Sequence, residues 1–359
     1  MTRVALIMAG GTGGHIFPGL AVAAQLREAG WDVVWMGARG GMEERLVPPH
    51  GYRTAWIRAR AARGKGLVQK LLLPANLLLS FWESLRHLRR IRPDVVLGLG
   101  GYVAFPGGMM ASLLGKPLAL HEQNAIAGLA NRVLANVSDK VMVAFPGALK
   151  DAEWTGNPVR VEIAALQPPE VRFRGRNGPL RILVVGGSLG AQALNEAGPK
   201  ALGSLAVEVS VVHQAGERHL ETLKQNYLAC GVTGELIAFI DDMARRYAEA
   251  DLVICRSGAV TVAELSAGGM ASILVPFPHA VDDHQTANAR FLADQGAAIL
   301  IQQRDLTPEK LAALIGSLDR PQLVEMARRA RALGKPEAAQ LVARRCMQLA
   351  EMRALMGGL

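Results

Sequence analysis

Short apolar runs alternate along this chain with stretches of helical periodicity, and most of the runs are continuously apolar instead of apolar at every second residue. Val4–Ala9, Val33–Met36, Val95–Leu99, Leu118–His121 and Val141–Ala144 form a first set. Ile182–Val185, Val207–His213, Leu236–Ile240, Leu252–Cys255 and Ser272–Val275 form a second. Helical patterns at Pro18–Ala29 and Ala75–Arg90 lie between runs, and one at Ala287–Gln295 follows the last of them. A strand that is apolar on both faces needs cover on both faces, which is the condition of a parallel sheet wrapped by helices. The pattern therefore predicts an α/β fold built on parallel sheets.

At 359 residues the chain is long for one such sheet, and an internal repeat suggests two. VALIMAGGTGG (Val4–Gly14) and RILVVGGSLGA (Arg181–Ala191) share the order strand, Gly-Gly-hydroxyl, small residue, helix. Gly10, Gly11 and Thr12 match Gly186, Gly187 and Ser188 at a constant offset. Two doubly wound domains follow, each opening on a glycine-rich turn after its first strand. The boundary is expected near TGNPVR (Thr155–Arg160), ahead of QPPEVRFRGRNGP, a segment rich in Pro, Gly and charge.

After a parallel strand, glycines bring bare N–H groups to face an anion at the next helix start. GGTGGH (Gly10–His15) suits a pyrophosphate or a sugar held close to backbone; the plainer alternative is a tight structural turn. It is not G-x-G-x-x-G, no acid closes the run Val33–Met36, and no G-K-[ST] follows, so neither a nicotinamide cofactor nor a Walker loop is expected. His15 stands at the helix start, where the positive helix end favours the neutral imidazole that a general base needs. Capping or packing would also account for it. A further glycine segment, GLGGYVAFPGG (Gly98–Gly108), follows a strand of the same domain and points to one pocket for a long anionic ligand.

In the second half, CRSGAVTVAELSAGG (Cys255–Gly269) runs strand, turn, helix, with Thr261 among its first N–H groups and Glu264 one turn in. A carboxylate there can accept from the vicinal hydroxyls of a ribose, or it is an ordinary solvated glutamate. PFPHAVDDHQTANA (Pro276–Ala289) gathers His279, Asp282, Asp283, His284, Gln285 and Asn288. With no D-x-D in the chain, sugar hydrogen bonding and helix capping by Asp283 explain this segment better than a metal.

Forty basic against 31 acidic residues give a formal charge of +9, a surface suited to anionic partners. Cys230, Cys255 and Cys346 are far apart and read as reduced, packed thiols. The N-terminus reads as a first strand and loop, not a targeting signal, and no apolar run is long enough to span a bilayer. Between Lys65 and Arg90, however, Leu71–Leu73, Leu77–Leu79, Phe81 and Trp82 concentrate apolar bulk, flanked by Lys65, Lys70, Arg86, Arg89 and Arg90. That fits contact with an anionic membrane surface at headgroup depth, or else a core helix with one solvated face. RARAARGKG (Arg58–Gly66) has no interleaved aromatics, so no nucleic-acid partner is expected.

Taken together, GGTGGHIFPGLAVA, GLGGYVAFPG, HEQNAIAGLANR (His121–Arg132), TGNPVR, GGSLGAQALN, CRSGAVTVAEL and HAVDDHQTANA cover essentially the whole chain. In their order and wording they resemble the MurG family, the peptidoglycan-synthesis enzymes of glycosyltransferase family 28. The resemblance implies a GT-B fold, two Rossmann-like doubly wound parallel-sheet domains facing a cleft. Residues 1–158 would take the acceptor and associate with the membrane, with the C-terminal helix 337–359 packing back on them, and residues 159–336 would bind the donor. It implies inverting transfer of N-acetylglucosamine (GlcNAc) from UDP-GlcNAc to undecaprenyl-pyrophosphoryl-MurNAc-pentapeptide (lipid I) at the cytoplasmic face of the inner membrane, with no cofactor and no bound metal. By position, Thr12, Gly13 and Gly14 would line the acceptor side, His15 would be the general base, and Asn124 would meet the transferred sugar. Arg160 and Ser188 would contact the donor diphosphate, and the Ile240 backbone would read uracil. Ala259, Val260, Thr261, Val262, Ala263 and Glu264 would form the turn and helix start, with Glu264 on the ribose; Gln285, or in its place His284, would hold the sugar. Competing readings are another GT-B enzyme using UDP-GlcNAc, a diacylglycerol glycosyltransferase or a 2-epimerase, and a non-catalytic nucleotide-sugar-binding membrane protein.

Overall fold

The computed structural model describes residues 2–59, 73–187 and 190–357. The chain divides into two units, one made of residues 1–160 with 337–359 and one of residues 161–336.

The first unit holds a seven-stranded parallel sheet in the order β3-β2-β1-β4-β5-β6-β7. Its strands are β1 (Val4–Met8), β2 (Asp32–Ala38), β3 (Arg53–Ile57), β4 (Val95–Gly98), β5 (Leu118–Glu122), β6 (Lys140–Val143) and β7 (Glu153–Trp154). Successive side chains of a strand point to opposite faces, and here both faces are covered. Ala5 and Ile7 join Val33, Trp35, Val95 and Leu97 in a core closed by α1 (Gly13–Glu28) and by the C-terminal helix Ala338–Gly357. Leu6 and Met8 join Val34, Met36 and Val96 in a second core, closed by α2 (Leu73–Ile91) through Leu88 and α3 (Gly101–Leu113) through Val103 and Ala104. Full burial of one such side chain is worth about 1.5–3 kcal/mol, so both faces of β1, β2 and β4 are held by apolar cover. The C-terminal helix is also held by charge. Arg345 forks onto Glu153 of β7 at 2.9 and 2.6 Å, with Lys140 Nζ 2.8 Å from the same carboxylate, and the guanidinium holds that carboxyl down at about 2.

The second unit repeats the plan, a six-stranded parallel sheet in the order β10-β9-β8-β11-β12-β13. The strands are β8 (Leu180–Val185), β9 (Val209–Gln214), β10 (Glu235–Ile237), β11 (Leu252–Cys255), β12 (Ser272–Leu274) and β13 (Ile299–Leu300). The helices that matter below are α4 (Gln192–Gly203), α5 (Ala259–Gly268) and α6 (His284–Ala293).

Each of the ten runs expected as strands overlaps one, though Leu236–Ile240 shares only Leu236 and Ile237 with β10. Three more strands, β3, β7 and β13, complete the sheets. Each lies at a sheet edge: β3 opens with the polar pair Arg53 and Thr54, of which Arg53 is exposed, and β7 and β13 are two residues each. The helix expected from Pro18 begins at Gly13, which puts His15 inside its first turn. Asp283 does stand at the N-cap of α6, but not as an N-cap side chain. Its φ is 51°, in the left-handed region, and its Oδ1 accepts from Thr286 Oγ1 at 2.7 Å instead of from a backbone amide.

Candidate functional site

In both sheets the strand order reverses direction at one seam, between β1 and β4 and between β8 and β11. Ligands of doubly wound folds bind beyond the C-terminal strand ends at that seam. The glycine loops singled out in the sequence fall there: Ala9–Thr12 after β1, Leu99–Gly100 after β4, Gly186–Gly187 after β8 and Arg256–Gly258 after β11.

In the first unit the two loops interlock. A Cβ on Gly101, where φ is +79°, would lie 2.3 Å from the Gly10 carbonyl oxygen. Only glycine permits both that backbone conformation and that approach. Thr12 is the N-cap of α1, followed by Gly13, Gly14 and His15. The His15 ring is fixed from behind, with Nδ1 3.1 Å from Gly10 O and 3.3 Å from Thr12 Oγ1. A carbonyl only accepts, so the neutral ring carries its proton on Nδ1 and leaves Nε2 as the basic nitrogen. Nε2 faces the second loop: a Cβ on Gly100 would stand 3.0 Å from it and 3.3 Å from Asn131 Nδ2.

Asn124 follows β5, and its position depends on a buried carboxylate that sequence reasoning did not single out. Glu122 accepts from the Asn124 N–H at 2.8 Å, the Gly128 N–H at 3.3 Å and Asn131 Nδ2 at 2.8 Å. This ties the Asn124 loop to Asn131, which stands beside Gly100 and the His15 ring. Next to it, His121 is buried and held as the neutral ring, its Nε2–H donating to Gly156 O at 2.9 Å; burial pushes its pKa down to about 4. Glu43 was also missed. Five residues beyond β2, it is fully buried beneath the first glycine loop. The signal for both acids was only an acidic residue at or shortly after a strand end, too common a pattern to single out.

In the second unit, Val262 makes the first backbone bond of α5, to Gly258 O at 2.9 Å. The N–H groups of Ala259, Val260 and Thr261 are the open first-turn donors, and Gly258 places no capping side chain over them. Val262 and Ala263 continue the turn toward Glu264. Gln285, the second residue of α6, is brought to this helix end: its carbonyl accepts from Ser257 Oγ at 2.8 Å, and its Oε1 accepts from the Phe277 N–H at 2.9 Å. Asn288 Nδ2 adds a bond to Ser257 O at 3.2 Å. Glu264 is buried, not solvated, with Tyr247 Oη donating to its Oε2 at 3.4 Å. Ile240 lies past the end of β10 and is buried in the following loop. On the β8 side, Gln214 Nε2 donates to the carbonyls of Gly187 and Ala238, both at 3.0 Å, bracing the glycine loop that leads to α4. Ser188 lies outside the described residues. Arg160 is half-buried at the last position of the first unit.

On α2, Leu78 is 69% and Trp82 56% exposed, Leu77 is exposed too, and the Arg86 guanidinium stands 5.8 Å from the Trp82 ring centroid. Arg89 and Arg90 continue the cationic face. Phe81 meets Phe105 of α3 edge-on at 5.9 Å, so the other side of the helix is anchored. Lys65, Lys70 and Leu71 lie outside the described residues. No described helix is long and apolar enough to cross a membrane.

The glycosyltransferase family 28 N-terminal domain matches residues 5–143 and the family's C-terminal domain matches residues 181–342. A relative from Aromatoleum aromaticum is 64% identical over 98% of this chain and 99% of its own length, and one from an Azoarcus species is 63% identical over the same shares. Both are named UDP-N-acetylglucosamine–N-acetylmuramyl-(pentapeptide) pyrophosphoryl-undecaprenol N-acetylglucosamine transferase. The crystal structure of Acinetobacter baumannii MurG superposes with a TM-score of 0.86 at 43% identity, over 96% of this chain and 99% of that one. Two parallel sheets of like strand order, two matched domains and near-full-length identity agree: the chain belongs to glycosyltransferase family 28, with the GT-B architecture of the MurG enzymes.

Proposed function

We propose that the chain transfers GlcNAc from UDP-GlcNAc to the muramyl hydroxyl of lipid I, giving lipid II and UDP. The observation that carries this reading is the first-turn histidine, pinned by Nδ1 to Gly10 O so that Nε2 is the basic nitrogen, on a chain with full-length transferase relatives. In the reaction His15 Nε2 takes the proton of the muramyl 4-hydroxyl. The freed oxygen bonds to the anomeric carbon as the bond from that carbon to the UDP oxygen breaks, with inversion, and UDP leaves with the electron pair. Thr12, Gly13 and Gly14 bring the acceptor's diphosphate close to backbone, and Asn124 meets the sugar. On the donor, the open N–H groups of Ala259–Thr261, with Arg160 and Ser188, take the growing charge of the diphosphate. The Ile240 backbone meets uracil, Glu264 the ribose and Gln285 the sugar. Incubation with radiolabelled UDP-GlcNAc and a lipid I analogue should yield labelled disaccharide and one equivalent of UDP. UDP release without an acceptor, or GlcNAc epimerised at C2, would point to the other enzymes of this architecture.

Charge on the leaving group is met here by helix-end N–H groups and guanidinium, and the chain has no D-x-D. Transfer to a soluble acceptor is therefore expected to survive EDTA in metal-stripped buffer. Loss of activity that a single divalent ion restores would overturn this.

The polyprenyl chain of lipid I stays in its bilayer, so the protein must come to the surface. The exposed Leu77, Leu78 and Trp82, beside Arg86, Arg89 and Arg90, suit that contact, each cation adding about 1 kcal/mol near an anionic leaflet. Leu78→Glu with Trp82→Glu is expected to abolish flotation with anionic liposomes and to slow transfer to embedded lipid I. Transfer to a short-chain acceptor should stay within about twofold, as exposed substitutions seldom disturb a fold. Flotation like that of the parent protein would sink the assignment.

A further inference from the structure

One peptide unit links His15 to a buried charge. The Gly10 carbonyl accepts from His15 Nδ1 at 3.1 Å, and the N–H of the same peptide, on Gly11, donates to Glu43 Oε2 at 3.1 Å. The second carboxylate oxygen of Glu43 accepts from the Ala38 N–H at 2.8 Å. Glu43 is 0% exposed. The surrounding chain is cut to fit it: a Cβ on Gly10 would lie 2.2 Å from Oε1, and one on Gly41 2.5 Å from Oε2. Burying a carboxylate is costly unless its oxygens are hydrogen-bonded, and here both are occupied by backbone amides. One of those amides is the unit on which the imidazole rests.

We propose that Glu43 is a positioning residue for His15, acting through the Gly10–Gly11 peptide to orient the ring and to strengthen Nε2 as a base. An amide is a conjugated unit. A carboxylate drawing on its N–H places more negative charge on its oxygen, and hydrogen bonds in such a chain reinforce one another. The Gly10 oxygen then holds Nδ1–H more tightly, most of all once Nε2 has taken the acceptor proton and the ring is cationic. No proton passes along the peptide, and the acceptor proton stays on Nε2 until solvent or product removes it. Among the described residues, the titratable groups facing this arrangement from neighbouring elements are Tyr102 on α3 and Glu122 on β5. Tyr102 is pushed up by burial and by the Glu43 charge, and Glu122 reaches the site through Asn131 Nδ2. Neither is bonded to the Gly10–Gly11 peptide.

The inference rests on His15 as the base, and two separate readouts tell its failure from the failure of that reading. Glu43→Gln keeps the volume but removes the charge and offers an amino group where one backbone N–H expects an acceptor. In protein labelled at histidine Cε1, the His15 resonance, assigned by its loss in His15→Gln, should titrate about half a pH unit or more lower in Glu43→Gln than in the parent. The acid limb of kcat/KM should move the same way, because a weaker base stays neutral to lower pH, while plateau kcat falls about 3- to 10-fold. A merely structural role would lower kcat without moving either midpoint, and an unmoved His15 titration in folded Glu43→Gln overturns the proposal. A shifted His15 titration with an unmoved acid limb upholds the link and removes His15 from the role of base. Should Glu43→Gln not fold, the parent protein decides: the Gly11 amide resonance must follow the His15 titration with the same midpoint, and a Gly11 amide indifferent to it overturns the link.

Discussion

Replacing His15 with alanine is expected to lower kcat by about 10²- to 10⁴-fold, the usual contribution of a positioned general base. Donor KM should hardly change, because the open N–H groups of α5, Gln285 and Glu264 all belong to the other unit. The reason lies in the geometry of the first turn. Nδ1 is committed to Gly10 O and Thr12 Oγ1, so the ring cannot turn over without losing both contacts, and Nε2 keeps its direction toward the second glycine loop. His15→Gln separates position from basicity: the amide can donate where Nδ1–H did, but it has no basic nitrogen. It should be as slow as His15→Ala. Pre-steady-state measurement of UDP formation with a soluble acceptor reads the chemical step itself. If His15→Gln keeps more than about a tenth of the parent rate, less than the smallest effect expected of a base, another group takes the proton.

Much of this was legible in the chain. The β1 loop with His15 and the β11 turn with α5 could be placed because a continuously apolar strand, bare glycines and a helix start form one local pattern. Each sheet then carries that pattern to its seam without help from distant contacts. What stayed hidden was made by tertiary approach. Glu43 and Glu122 meet the glycine and asparagine loops through hydrogen bonds to backbone, and nothing in GGMEER or HEQN says which amide a carboxylate will find. Glu264 could be placed on its helix but not buried, because its burial depends on Tyr247, which comes from a separate helix. Asp283 shows the opposite failure: the sequence rule for a cap puts the residue in the right place, yet the left-handed backbone turns its carboxylate to Thr286. Edge strands such as β3 lack the two-sided apolar run because one of their flanks is solvent.

Glu264→Ala is expected to raise donor KM by about 10- to 100-fold while kcat at saturating donor stays near that of the parent, since a hydrogen bond to a charged group is worth about 1.5–3 kcal/mol. Glu264 lies beyond the open first-turn N–H groups of α5; in the proposed function a nucleoside ribose would follow the diphosphate along the helix to reach it. Its burial keeps solvent from weakening those bonds, and Tyr247 Oη fixes one oxygen. That burial also makes the alanine variant ambiguous taken alone. It opens a cavity and leaves the Tyr247 hydroxyl without its acceptor, so a general loosening of the helix could raise KM as well. A substrate cycle removes the ambiguity. With the parent protein, a donor lacking the ribose 2′-hydroxyl should bind more weakly than UDP-GlcNAc. With Glu264→Ala the same deletion should cost little, because the partner of that hydroxyl is already gone. Glu264→Gln, which keeps volume and one acceptor, should fall between the two. Additive losses, with the 2′-deoxy donor penalised equally in parent and Glu264→Ala, would remove Glu264 from the ribose and leave it a buried partner of Tyr247.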